Sequence, residues 1–189
     1  MATSRPYGLY RPSLGEFERL IRKDQMGSPK IMGIVNATPD SFHADSRFDF
    51  DGAVSKALQM WEFGADWVDI GGESTRPGSK EVPLQEELDR VIPVIEKLKK
   101  IKPRGLISID TKKVEVAKKA IEAGALMIND VSGFRNNEML ELALLEKIPI
   151  CIMHMQKNPE NMQNSPSYTN CLNDVSESFR AFRSFDFKK

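Results

Sequence analysis

Histidine and cysteine are scarce in this 189-residue chain, which holds two of each. A zinc centre draws on several such side chains, so none is expected. Cys151 lies in the apolar run Ile148-Pro149-Ile150-Cys151-Ile152-Met153 and reads as a small buried thiol. Net charge is also missing: 27 Lys and Arg balance 27 Asp and Glu. Nothing global therefore steers the chain toward nucleic acid or an anionic membrane. No apolar run approaches the roughly 20 residues of a membrane span. The opening Met1-Ala2-Thr3-Ser4-Arg5-Pro6 has no apolar core of a secretory signal. A cytoplasmic protein is expected; a transit peptide stays open, although Glu16, Glu18 and Asp24 come early. Apolar residues make up 40% and charged residues 29%, ordinary for a globular chain long enough for one domain with its own core.

The most informative segment that is present runs from Asp69 to Gly78. The apolar stretch Trp67-Val68-Asp69-Ile70 leads into Gly71-Gly72, then Glu73-Ser74-Thr75-Arg76, and Pro77-Gly78 closes the loop. Paired glycines at a strand exit allow a sharp turn and close approach to a ligand. A carboxylate, two hydroxyls and a guanidinium just beyond them suit a polar, anionic ligand.

From residue 30 to about 187, short apolar runs alternate with amphipathic stretches. The runs are Ile31 to Val35, Trp67 to Ile70, Leu106 to Asp110, Leu126 to Asp130 and Ile148 to Met153. They are nearly continuous, as in parallel strands covered on both faces. Helical spacing follows each: Val54, Leu58 and Trp61; Leu88, Val91, Ile95 and Leu98; Val114, Ala117 and Ile121; Met139, Leu140, Ala143 and Leu144; and a fifth helix with Leu172, Val175, Phe179 and Phe182. Gly64 and Gly124 fall where helix ends want a left-handed residue. This alternation predicts a parallel α/β sheet over residues 30–189. Residues 1–29 read as a separate leader segment, with Ser13 and Glu16 as a capping box and Leu14, Phe17, Leu20 and Ile21 as an apolar stripe that packs on the rest.

Each predicted strand ends in polar residues: Asn36 and Thr38 to Phe42; Glu73 to Gly78; Asp110-Thr111-Lys112; Asn129-Asp130 with Ser132-Gly133; His154 and Gln156. Such groups converge on one face, which in a (β/α) barrel is the active site. Plainer roles exist for each. Asp110 reads equally as a helix N-cap, Asn36 as a turn cap, Arg76 as half of a surface ion pair and His154 as a satisfied structural histidine. Lys112-Lys113 and Lys118-Lys119 read as solvated helix faces. Asn129 in an apolar run is harder to dismiss, since a buried amide needs partners and its donor–acceptor edge suits a heterocycle.

These segments resemble the dihydropteroate synthase family from about Lys30 to Gln163. The motifs are Met32 to Phe42, Asp69 to Gly78, Ser108-Ile109-Asp110-Thr111, Ile128 to Gly133 and Met153-His154-Met155-Gln156. The resemblance implies a TIM (β/α)8 barrel that condenses 6-hydroxymethyl-7,8-dihydropterin diphosphate with p-aminobenzoate and releases pyrophosphate. It implies Mg2+ contacted through Asn36, pterin held by Asp110 and Asn129 with apolar help from Met153, and diphosphate near Thr75 and Arg76. Loops containing Thr38, Pro39 and Phe42, and Pro77, match those closing over the p-aminobenzoate site, where sulfonamides also bind. The implied catalysis is positioning and charge stabilisation, with Arg76 its foremost residue. Family members are commonly dimers, so a homodimer, or association through open sheet edges, is the assembly the resemblance admits.

The chain departs from the family in three ways. Five strand–helix units stand where a barrel has eight, which predicts an incomplete barrel, a fragment of a longer enzyme, impaired or inactive alone. His43-Ala44-Asp45-Ser46 replaces a glycine-containing stretch in the first loop, and Lys157 follows Gln156 where the family has glycine. A catalytically dead pterin- or partner-binding fragment is the alternative. A pterin-dependent methyltransferase is disfavoured, because it needs no diphosphate loop.

Overall fold

The computed structural model describes residues 10–21, 29–38, 50–74, 81–157, 161–162 and 164–183. Five strands alternate with helices in it: α1 (Leu14–Ile21), β1 (Met32–Asn36), α2 (Phe50–Glu62), β2 (Trp67–Gly71), α3 (Leu84–Ile101), β3 (Leu106–Asp110), α4 (Val114–Ala123), β4 (Met127–Asp130), α5 (Asn137–Glu146), β5 (Ile150–Ile152), α6 (Cys171–Ser178) and α7 (Arg180–Arg183). The strands form one parallel sheet in the order β1-β2-β3-β4-β5. Because the order never reverses and crossovers are right-handed, successive helices fall on the same side. This is the winding of a (β/α) barrel wall, and it bears out the expected incomplete barrel.

The core lies between the outer sheet face and these helices. Val35, Ile70, Ile107, Ile109 and Ile128 are fully buried from the strands, and Val91, Val94, Ile95, Leu98, Val116 and Met139 from the helices. Each such side chain contributes ~1.5–3 kcal/mol by leaving water. The opposite, inner face is open at its β1 edge, where Ile34 is 58% exposed. Among the described residues no helix is long and apolar enough to cross a membrane.

The helix ends follow the local chemistry. Gly64 and Gly124 adopt φ of +100° and +118°, the left-handed conformation expected of them. α5 ends the same way at Lys147, φ 51°, without a glycine. At α1, the Glu16 carboxylate accepts from the Ser13 amide at 2.8 Å, and the Glu16 amide donates to Ser13 Oγ at 3.4 Å, the reciprocal capping box. The indole N–H of Trp67 donates to the Leu20 carbonyl at 3.3 Å and fastens α1 to the base of β2. The side chains of Leu14, Phe17 and Ile21 lie outside the described residues.

One element differs from expectation. The fifth helix is two pieces, α6 and α7, separated at Phe179. No α6 residue is buried, and Leu172 is 76% exposed. Phe182 packs against the core, but among the described residues no strand lies beyond β5 to receive the first turn of α6.

Candidate active site

Strand register puts the polar strand ends in one row. Asn36, Gly71, Asp110, Asn129 and Cys151 are consecutive partners across all five strands. Residues paired in this way point to the same face, so Asn36, Asp110 and Asn129 share the inner face with Cys151. One step lower lies the row Ile34, Asp69, Ser108 and Met127. The ladders continue past the upper row through Ala37 N–H to the Gly71 carbonyl at 2.7 Å and Thr111 N–H to the Asn129 carbonyl at 3.1 Å. The row thus sits inside the ordered sheet.

Of the two glycines at the end of β2, Gly72 serves close packing. A Cβ on Gly72 would stand 2.8 Å from Val91 Cγ1 and 3.0 Å from Glu87 Cγ, so only glycine lets the strand exit lie on α3. A Cβ on Gly71 would stand 3.4 Å from Asp110 Oδ2, which shows the Asp110 side chain leaning across its neighbour. Neither glycine is left-handed.

Two carboxylates dominate the inner face. Asp69 is 2% exposed; Asn129 Nδ2 reaches across β3 and donates to its Oδ2 at 2.9 Å. Its Oδ1 and the neighbouring Ser108 Oγ are buried without a hydrogen bond of good geometry, although the two face each other on paired residues. Burial raises the Asp69 carboxyl above its ordinary range, with Ser108 and Asn129 pulling the other way. Burial first, and then the charges of Asp69, Glu87, Asp130 and Glu73, push Asp110 up to about 7. Asp110 is therefore poised to change protonation near neutrality. It caps no helix: the N-cap residue of α4 is Lys113, no side chain makes a capping bond there, and the Lys113 amide donates to Thr111 Oγ1 at 3.1 Å.

Beside this row, an ionic cluster ties the ends of the β2–α3 connection to β3. Glu87, 1% exposed, accepts from Thr111 Oγ1 and from Lys113 Nζ, each at 2.6 Å. Lys113 also pairs with Glu73, which accepts the Val82 amide at 3.1 Å and meets Lys112 at 3.1 Å. Lys112 and Lys113 were expected on a solvated face; a near-buried Glu87 pulls Lys113 inward, with 17% of its side chain exposed. Burial alone would raise Glu73, yet Lys113, the Val82 N–H and Lys112 hold it below its ordinary value. Arg90 Nη1 donates to the Gly72 carbonyl at 2.7 Å and completes the fastening.

At the β4 and β5 exits, fully buried Asp130 accepts from the Ser132 amide (2.7 Å), Ser132 Oγ (2.8 Å) and the Phe134 amide (3.0 Å). His154 is held through both ring nitrogens, by Ser178 Oγ at 2.8 Å and Tyr168 Oη at 3.1 Å, the structural role open to it in the sequence. A cavity of about 180 Å³ lies there, lined among others by Arg135, Met153, His154 and Phe179.

Of the residues the sequence singles out, the structure brings Asn36, Asp110 and Asn129 into one row and places Thr38 and Met153 just past β1 and β5. Pro39, Phe42, Thr75, Arg76 and Pro77, with the altered stretch His43 to Phe48, lie outside the described residues. Sequence reasoning assigned no site role to Asp69, Ser108 or Glu87 and placed Lys113 on a solvated helix face. Glu87 was legible, because it precedes Val91 by one turn on the buried stripe of α3.

A family model described as pterin binding enzyme matches residues 32–184. A dihydropteroate synthase of Synechocystis is 44% identical over 153 residues, which are 80% of this chain and 53% of that protein. The chain thus spans about half the length of the curated relatives it matches. The Yersinia pestis dihydropteroate synthase in complex with a sulfonamide drug superposes with a TM-score of 0.74 at 44% identity, over 81% of this chain and 56% of that one. The Burkholderia cenocepacia enzyme complexed with 7,8-dihydropteroate gives 0.69 at 41% identity, over 82% and 54%.

Proposed function

This chain belongs to the pterin binding enzyme family, and from that membership we propose that it performs the pterin-side work of a dihydropteroate synthase. In that reaction the amine of p-aminobenzoate displaces diphosphate from the hydroxymethyl carbon of 6-hydroxymethyl-7,8-dihydropterin diphosphate. The new C–N bond gives dihydropteroate, and pyrophosphate departs with the electron pair of the broken C–O bond. The observation that supports this reading is the row Asn36, Gly71, Asp110, Asn129, which presents an amide, a carboxylate and a second amide on one face. Asp110 and Asn129 offer acceptors to the amino and ring N–H groups of the pterin. Thr75 and Arg76, just past Glu73, receive the diphosphate, and Arg76 stabilises the charge that develops on it. Met153, Thr38, Pro39, Phe42 and Pro77 are the residues that the family resemblance assigns to the pterin and the aromatic amine.

Mg2+ fits this arrangement. Among the described residues no trio of His, Cys, Asp or Glu gathers to cage a metal. Mg2+ is commonly held by few protein oxygens together with substrate phosphates and water, and exposed Asn36 supplies one such oxygen at the end of the row. Bound there, the ion would neutralise diphosphate charge. The five described strands line the site on one side only, so turnover well below that of a closed barrel is expected. The test is pyrophosphate release from the pterin diphosphate with Mg2+, with and without p-aminobenzoate. Release that requires the amine and yields dihydropteroate supports the reading; a folded chain that neither releases pyrophosphate nor binds 6-hydroxymethylpterin overturns it.

A further inference from the structure

Asp69 lies one row below Asn36, Asp110 and Asn129 and is more deeply buried than any of them. Its Oδ2 accepts from Asn129 Nδ2 at 2.9 Å, and its Oδ1 is sealed from solvent. Neither oxygen is within reach of a ligand, one being bonded and the other sealed off, so Asp69 acts through Asn129. We propose that Asp69 is a positioning residue of the heterocycle site: it captures Nδ2 of Asn129 and leaves amide oxygen Oδ1 as the end that meets the ligand.

An unrestrained Asn amide can rotate end for end and present either a donor or an acceptor at little cost. A carboxylate beneath it removes that freedom, since an acceptor-only group takes the N–H end. Asn129 Oδ1 then stands beside Asp110 on the adjoining strand, so the row offers two acceptors to one ring edge. Such an edge selects a ring with neighbouring N–H donors, as a 2-amino-pyrimidinone has, and disfavours one with a carbonyl at that place. The inference rests on the pterin reading above and adds what fixes its polarity.

Two measurements on the 189-residue chain test it. The first needs no ligand: solvent exchange of the Asn129 side-chain amide followed by 15N–1H NMR. Slow exchange is expected in the wild type and fast exchange in Asp69→Leu, which keeps the branched shape but accepts no hydrogen bond. Unchanged exchange in a folded Asp69→Leu chain overturns the proposal. The second is titration with 6-hydroxymethylpterin by its fluorescence. Asp69→Leu should raise Kd about tenfold, the loss of one well-oriented hydrogen bond. The swap Asp69→Asn with Asn129→Asp reverses the internal bond yet still offers an oxygen to the ligand, so it should recover to within about threefold. Equal binding by wild type and Asp69→Leu, or a folded swap no better than Asp69→Leu, overturns the proposal. A wild-type chain with a protected Asn129 amide that binds no pterin overturns the pterin reading instead, and with it any ligand role for Asp69.

Discussion

Replacing Lys113 with methionine removes the cation between Glu73 and Glu87 and keeps most of the side-chain length. Deleting one partner of a buried ion pair leaves an uncompensated charge and typically costs ~3–5 kcal/mol. Glu87 is 1% exposed and so feels nearly the full effect, but each carboxylate keeps other partners. Thr111 Oγ1 still donates to Glu87 at 2.6 Å, and Lys112 still faces Glu73 at 3.1 Å. The expected loss is therefore about 2–3 kcal/mol. For a domain of this size that is a fall in Tm of roughly 5–10 °C. Urea and thermal unfolding followed by circular dichroism measure it, with Glu87→Gln/Lys113→Met as the second arm. Removing both charges should recover more than half of the loss, because the penalty lies in the stranded carboxylate. The pH dependence has a definite sign. Glu73, held below its ordinary 4.5, contributes stability above that pH that disappears as pH falls through its folded value. Lys113, held above its ordinary 10.5, contributes below that pH and stops contributing as pH rises through its folded value. The gap between wild type and variant should be widest between these limits. A Lys113→Met loss under about 0.5 kcal/mol, or a double variant less stable than the single, would refute the buried-pair argument.

Further outcomes can be checked by the same unfolding measurements. Asp110, raised from 3.8 to about 7, favours the fold fully while protonated below pH 3.8 and progressively less as pH rises through 7. Asp110→Asn should match wild type near pH 3.5 and be the more stable at pH 8, with a ceiling of ~4 kcal/mol; equal stability at pH 8 contradicts the raised value. Asp130→Ala strands two amides and a hydroxyl around Phe134, itself at φ 56°, and should cost ~2–4 kcal/mol. Lys147→Gly relieves a left-handed non-glycine helix end and should gain ~0.5–1 kcal/mol; a loss would mean the lysine stem packs usefully there.

Strand and helix placement was legible because the apolar runs are dense and two helix ends carry glycine at Gly64 and Gly124. The end of α5 was not, since Lys147 adopts the same conformation with nothing in its chemistry to announce it. The binding row was readable at Asn36, Asp110 and Asn129, where polar side chains follow apolar strands. Its support was not. Asp69 looked like part of a hydrophobic run, and its partner Asn129 lies 60 residues away across an intervening strand. Lys113 sits in a charged stretch that reads as solvated, and only the packing of α3 on α4 turns Glu87 and Lys113 toward one another. Long-range polar pairs leave no local periodicity. The break between α6 and α7 escaped for another reason: an apolar stripe says that a helix wants a wall, not whether one is there.

The upper row also acts as a ruler. Parallel strands stand about 4.8 Å apart, so Asn36 and Asp110, two strands removed, are held roughly 10 Å apart, and Asn129 adds one further step. That separation is set by backbone hydrogen bonds and not by any side chain. Substitutions in the row can alter what is gripped at each graduation, but the length of a molecule that reaches from the Asn36 end to the Asn129 end is dictated by the sheet itself.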